Sequence, residues 1–230
     1  MERNELVLLR LSNQYLLHAG ERMRVLRAMN GFQAQFLSNA LHAMRLRCAA
    51  YDNAHAADGL VKGWTLRGTM HIFAEADLPL FLHTGCRYRS RDWTVPSFWN
   101  QRPNWALTPK RQAYFSDLII DALAQGPMTR EALKARCRAA GMTQAEEGSI
   151  FHPWGGGIRE LCERGFLCGT VSEEKAFRLC PAFTPMEEQD ALLEQTRRYF
   201  TNYGPASVRD AAYYFGSSQA EIKKRLARLP

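Results

Sequence analysis

The sequence predicts a mainly α fold with small β-wings, arranged as tandem winged helix-turn-helix units of which the third is cut short. Three observations predict it. Short amphipathic helical segments recur, several opened by a hydroxyl cap and closed by a glycine. Two groups of such helices are followed by alternating, glycine-punctuated runs that read as hairpins. Gly-Pro, a small or apolar residue, a hydroxyl and a short helix occur in that order twice, in GPMTREALKAR at 126–136 and GPASVRDAAYY at 204–214.

The first block covers residues 5–85. Ser12 is expected to cap a short helix carrying Tyr15, Leu16 and Leu17, and ERMRVLRAMN reads as a helix stopped by Asn30-Gly31. Gly31 also suggests a new helix start, which puts Gln33 and Gln35 in its first turn with free backbone N–H groups nearby. Leu37, Leu41, Met44 and Cys48 then mark one buried helical face. VKGWTLRGTMHIF, with Val61, Trp64, Thr65, Thr69, Ile72 and Phe73, predicts β structure with a turn or bulge near Gly68. Residues 86–109 lack helical periodicity and read as an ordered Pro-, Arg- and Trp-rich connector packed on the first block. Arg87, Arg89 and Arg91 alternate there, so an extended chain projects them the same way.

The second block, 110–184, opens with a helix bearing Phe115, Leu118, Ile119 and Ala122 on one face. Gln125-Gly126-Pro127 ends it and Thr129 caps the next. Ile150, Trp154, Ile158 and Leu161 suggest a third helix, although Gly155-Gly156-Gly157 breaks it before Ile158. A hairpin turning at Ser172-Glu173-Glu174 completes the unit, with Cys162 and Cys168 as packing residues. The third block, 185–230, holds a long helix, a Gly204-Pro205 break, a short helix, and a last helix with Ser218 and Glu221 as capping box. Ile222 and Leu226 face its core; Lys223, Lys224, Arg225 and Arg228 face out.

Thirty basic residues against 23 acidic ones give a net charge of +7, and all but six of the basic ones are Arg. Arg favours bidentate phosphate and base-edge contacts, so an anionic partner, nucleic acid first, is the expectation. The six Cys form no C-x-x-C, and the six His show no metal spacing. Reduced thiols, no metal and no cofactor are expected. No apolar run reaches membrane-spanning length, and MERNELVLLRLSNQ lacks a signal-peptide cleavage site. A cytoplasmic, nucleoid-associated monomer is the expectation.

GFQAQF at 31–36 and GWTLRGTMHIF at 63–73, together with tandem winged helices, resemble the bacterial winged-helix DNA glycosylases of the AlkZ/YcaQ type. The resemblance implies excision of alkylated guanines from double-stranded DNA and unhooking of interstrand crosslinks. It places the family's catalytic Gln-x-Gln pair on Gln33 and Gln35. It also implies three winged helices around a DNA channel and a C-terminal β-barrel; the third wing and the barrel have no counterpart within these 230 residues.

The chemistry suits amides. A glutamine is no general base, but its carbonyl oxygen holds a water and faces an oxocarbenium sugar. An N7-alkylated guanine carries positive charge and leaves as a neutral base without protonation. No amine nucleophile is needed, so a monofunctional enzyme is expected. One tension is geometric: on a helix, residues i and i+2 point about 200° apart. Thr65, Arg67, His71, Arg87, Arg89, Lys223, Lys224 and Arg228 are the candidate DNA contacts. The alternative is a non-catalytic winged-helix DNA-binding protein, a regulator or an inactive truncated homologue.

Overall fold

The computed structural model describes residues 2–229. The chain begins with α1 (Arg3–Asn13), α2 (Arg22–Ala28), β1 (Phe32–Gln33), α3 (Leu37–Arg45), β2 (Leu60–Trp64), β3 (Met70–Ala74) and α4 (Leu78–Phe81). It continues with α5 (Pro109–Leu123), β4 (Met128–Thr129), α6 (Arg130–Ala139), α7 (Gln144–Ile150), α8 (Gly156–Glu163), β5 (Leu167–Gly169) and β6 (Ala176–Leu179). It closes with α9 (Glu188–Tyr203), α10 (Val208–Phe215) and α11 (Gln219–Leu226). Two compact units result: Met1–Gly85 with Phe183–Pro230, and Cys86–Ala182.

In the first unit, β1, β3 and β2 form an antiparallel sheet in that order. Val25, Leu26, Met44, Val61, Ile72 and Leu78 are fully buried beneath it. The hairpin expected near Gly68 is β2–β3, with a 3-10 turn at Leu66–Gly68. The early helix differs from expectation. Ser12 lies inside α1 rather than before a helix, and the chain turns at Tyr15, whose φ is 60°. Glu2 and Glu5 form the capping box that starts α1, so the helix begins nearly three turns earlier than a cap at Ser12 suggested.

The C-terminal helices return to this unit. Helix α9 packs on α1, α2 and α4. Arg198, buried on α9, donates through Nη1 and Nη2 to the buried Asp77 carboxylate at 2.7 and 3.0 Å. Its Nη1 also donates to the Arg27 carbonyl at 3.0 Å, and its Nε to Glu194 at 2.8 Å. Gln195 Nε2 donates to the Leu80 carbonyl at 2.7 Å. Tyr199, Ala211 and Ile222 form the apolar centre of α9–α11, with Leu226 packed against it. Ser218 accepts from the Glu221 N–H, but the Glu221 carboxylate is taken by Lys224, so only half of the expected capping box forms. Arg225, expected to face out, is half-buried with its guanidinium over Phe215.

The second unit carries β5, β6 and β4 in an antiparallel sheet, with the turn between β5 and β6 where Ser172-Glu173-Glu174 predicted it. Phe115, Ile119, Leu133, Ile150, Ile158 and Leu161 build its core, and Thr129 caps α6. Cys162 and Cys168 are buried packing residues, and burial pushes the Cys162 thiol up. The single helical face drawn through Ile150, Trp154, Ile158 and Leu161 does not exist. Helices α7 and α8 are separate, and Trp154 lies exposed between them. The glycine run explains the break. A Cβ on Gly156 would stand 2.2 Å from the Ser149 carbonyl, and one on Gly157 would stand 3.3 Å from Ile150 Cα. These glycines let the end of α7 touch the start of α8.

The 86–109 connector belongs to this second unit, not to the first block as expected. The buried Arg164 guanidinium holds it there. Arg164 donates to the Ser90 and Asp92 carbonyls at 2.7 and 3.0 Å and lies 4.3 Å from the Trp93 ring centre. Its other nitrogen is fixed by Glu160, which also accepts from Gln112.

Arg198→Ala strands the buried Asp77 carboxylate and is expected to cost about 3–5 kcal/mol in urea unfolding; an unchanged midpoint would show that α9 docks without the pair. In the second unit the Arg111 guanidinium, with Thr143, holds the Glu146 carboxyl at about 2 against an ordinary 4.5. The depressed value means stability present above 4.5 and lost as pH falls toward 2. Glu146→Gln is expected to flatten that acid limb in thermal melts recorded across the same range.

Candidate functional site

Gln33 lies on strand β1 and Gln35 in the bend between that strand and α3, so neither sits in a helical turn. Phe32 pairs with Ile72 and Gln33 with His71, and the Ala34 N–H donates to the Met70 carbonyl at 2.7 Å. Helix α3 starts only at Leu37. Phe32 and Ala34 are buried. The helical tension therefore disappears. Both amides are exposed, Gln33 on β1 and Gln35 in the bend that follows it.

The turn before β1 fixes this arrangement. Asn30 and Gly31 both adopt positive φ, 54° and 78°. A Cβ on Gly31 would sit 2.6 Å from the Ile72 carbonyl, so only glycine lets the chain meet β3 here. Asn30 is fully buried and donates through Nδ2 to the Gln195 carbonyl at 3.1 Å. Tyr203 Oη donates to the Met29 carbonyl at 3.1 Å. Helix α9 thus grips Met29 and Asn30, immediately before Gly31. On the far side, the Arg47 guanidinium lies 5.6 Å from the Phe32 ring centre.

Antiparallel register runs Gln35 toward the β2–β3 tip, where three candidate DNA contacts sit. Arg67 has φ 54° and is exposed. It makes no ion pair among the described residues; its guanidinium lies 6.0 and 5.5 Å from the rings of Tyr213 and Tyr214. Thr65 is half-buried, and its hydroxyl has no hydrogen-bond partner among the described residues. His71 is 5% exposed, between Gln33 and Gly63 in the sheet. Its Nδ1 donates to the Thr69 carbonyl at 3.0 Å, and burial pushes its pKa down. A neutral, enclosed imidazole carries β3 and does not reach a phosphate, which corrects its place among the expected DNA contacts.

The other basic candidates are separate. Arg87 and Arg89 belong to the second unit, and positive φ at both, 56° and 51°, breaks the extended row expected for them. Arg87 donates to the Pro96 carbonyl at 2.7 Å, Arg89 donates to that of Cys180 at 3.4 Å, and Arg91 pairs with Asp117. On α11, Lys224 pairs with Glu221 at 2.8 Å, and just past that helix Arg228 lies 3.7 Å from Asp190. Lys223 is exposed with no acidic partner among the described residues. Among those residues, no cluster of three or more His, Cys, Asp or Glu is arranged to hold a metal, and no helix is long and apolar enough to cross a membrane.

Sequence reading missed the aromatic side of this region. Tyr213 is 82% exposed beside Arg67, while Tyr203 and Tyr214 are packed inward and burial pushes both phenols up. The available signal was the Tyr-Tyr-Phe run closing α10, where one ring of a consecutive pair must leave the core.

A family model described as "DNA glycosylase AlkZ-like" matches residues 26–230. An interstrand DNA cross-link repair glycosylase of Streptomyces sahachiroi is 30% identical over 195 residues, covering 77% of this chain and 50% of that protein. The solved structure of Streptomyces sahachiroi DNA glycosylase AlkZ matches with a TM-score of 0.73 at 24% identity, covering 99% of this chain and 65% of that chain. The chain spans about half the length of the curated relative it matches.

Gly31→Ala forces both a strained φ and a collision with β3. It is expected to destabilise the protein by about 1–3 kcal/mol in denaturant titration, whereas Gly141→Ala, at a positive φ with open space around it, is expected to show only the smaller backbone effect.

Proposed function

The chain belongs to the AlkZ-like DNA glycosylase family, and from that premise we propose that it hydrolyses the N-glycosidic bond of N7-alkylated guanine in double-stranded DNA, interstrand crosslinks included. One observation carries the reading: Gln33 and Gln35 are two exposed neutral amides, two residues apart, at the end of a strand paired with β3 and just after a turn held by α9. We read the β2–β3 and β5–β6 hairpins as the wings of two winged helices. The protein acts as a monomer and needs no cofactor.

In this mechanism the lesion supplies the driving force. Its cationic purine departs with the electron pair of the C1′–N9 bond and becomes neutral. The sugar left behind has oxocarbenium character. One glutamine carbonyl oxygen points its dipole at that charge, and the other accepts a hydrogen bond from the attacking water. The water oxygen bonds to C1′, and its proton passes to solvent. No enzyme amine attacks the sugar, so the product is an abasic site and the strand stays intact. An undamaged base, which leaves as an anion unless protonated, gains too little from two amides.

Arg67 and Thr65, at the hairpin tip toward which Gln35 runs, are the proposed phosphate contacts nearest the pair. Lys223, Lys224 and Arg228 contribute long-range attraction to the duplex.

The test is a duplex with a single 7-methylguanine, incubated with protein and then cleaved with hot alkali. Gln33→Ala and Gln35→Ala are each expected to lower the single-turnover rate by about 10²–10³-fold, with circular dichroism unchanged. Equal scission by both variants and the parent protein would overturn the assignment.

A further inference from the structure

A second site lies in the other unit, around the segment that separates α7 from α8. Trp99, Arg102, Asn104, Ser149 and His152 are among the residues that wall a cleft of about 70 Å³, room for one phosphate group. No acidic residue lines it. Trp99 is 2% exposed, and its indole N–H, a donor with no acceptor capacity, has no partner among the described residues. His152 Nδ1 accepts from the Trp154 N–H at 3.2 Å, which puts the ring proton on Nε2 and makes that nitrogen a donor. The Arg102 guanidinium lies 5.2 Å from the Trp99 ring centre and 5.7 Å from that of Phe98. Arg130 donates to the His152 carbonyl at 2.6 Å. Neither Arg102 nor Arg130 has a carboxylate within salt-bridge distance among the described residues, and both guanidinia push the His152 pKa down after the effect of burial.

A buried donor without an acceptor is costly, and uncompensated guanidinia repel one another; an anion answers both. Trp154, whose backbone N–H binds His152, is 72% exposed, and Phe98, whose ring packs edge-on against Trp99, is 70% exposed. Rings this open, one of them beside the Arg102 guanidinium, match a ligand that alternates negative charge with a flat aromatic face. Packing explains the glycines that follow Trp154, but nothing in the fold needs the indole itself to face water.

We propose that this cleft binds one backbone phosphate of an unpaired DNA strand, held by Trp99 Nε1, His152 Nε2 and Arg102, with the adjoining base stacked on Trp154. An unpaired strand is required because bases within a duplex are already stacked and have no free face for the indole. The inference takes DNA as ligand from the proposed function but does not involve Gln33 or Gln35, so the two stand or fall separately.

The test uses the whole chain and an eight-nucleotide thymidine strand, read by fluorescence anisotropy. Trp154→Ala is expected to weaken binding about tenfold. Arg102→Gln is expected to lower the slope of log K against log salt by about 0.7, the value for one lost phosphate contact on a single strand. Unchanged binding in both exposed-residue variants would overturn the proposal, whatever the outcome of the methylguanine assay. A second readout is the Trp99 indole N–H resonance, identified by its loss in Trp99→Phe. A shift with the oligonucleotide but not with inorganic phosphate at equal phosphate concentration supports a strand site. A shift with both would reduce the cleft to a free-phosphate pocket and overturn the strand assignment. No shift with either would overturn the site itself.

Discussion

The buried Asp77–Arg198 pair joins segments more than a hundred residues apart and gives α9 one seat on the N-terminal helices. Its value lies less in net stability than in specificity. A buried ion pair gains little over an apolar contact of similar size, but either partner alone is severely penalised, so misaligned packings are excluded. Helix α9 then reaches the turn before β1 through Asn30 and Tyr203. The direction of the two glutamines is therefore set by a helix whose residues follow them by about 160 positions.

At β1 the decisive constraint is backbone geometry. A two-residue strand is short, and little side-chain burial defends it. Gly31 supplies the positive φ and the close approach that let it pair with β3 at all. Once it is paired, Phe32 and Ala34 are buried while Gln33 and Gln35 are left exposed. In the proposed reaction, a pair of neutral groups suits a leaving group that brings its own charge, because the protein need supply only a dipole and a positioned water.

The second unit solves a different packing problem with polar groups. Glu160 and Arg164 neutralise each other in its interior while binding Gln112 and the connector backbone. Near His152 the balance reverses: among the described residues, Arg102 and Arg130 have no carboxylate within salt-bridge distance, and the buried indole donor of Trp99 has no partner. Two regions of one small unit thus differ in a simple respect. Glu160 and Arg164 balance each other inside, whereas Arg102 and Arg130 have no carboxylate within salt-bridge distance among the described residues.

Much of the local structure was legible in the residues themselves. Thr129 and Ser218 capped helices where a hydroxyl preceded an amphipathic run, Asn30-Gly31 stopped α2, and the β5–β6 turn fell at Ser172-Glu173-Glu174. These features depend on hydrogen bonds spanning a few residues, so local order suffices. The Gln-x-Gln pair was visible too, but its conformation was not. A helix start and an edge strand look alike after glycine, and the choice came from hydrogen bonds to β3, some forty residues away. The same distance dependence hid Tyr213 beside Arg67, the attachment of the connector through Arg164, and the enclosure of His71. The sequence by itself determined where several helices are capped and stopped, and the chemical type of each side chain. Only tertiary structure decided which of those groups share a face, because strand pairing and buried ion pairs form between residues that no local pattern relates.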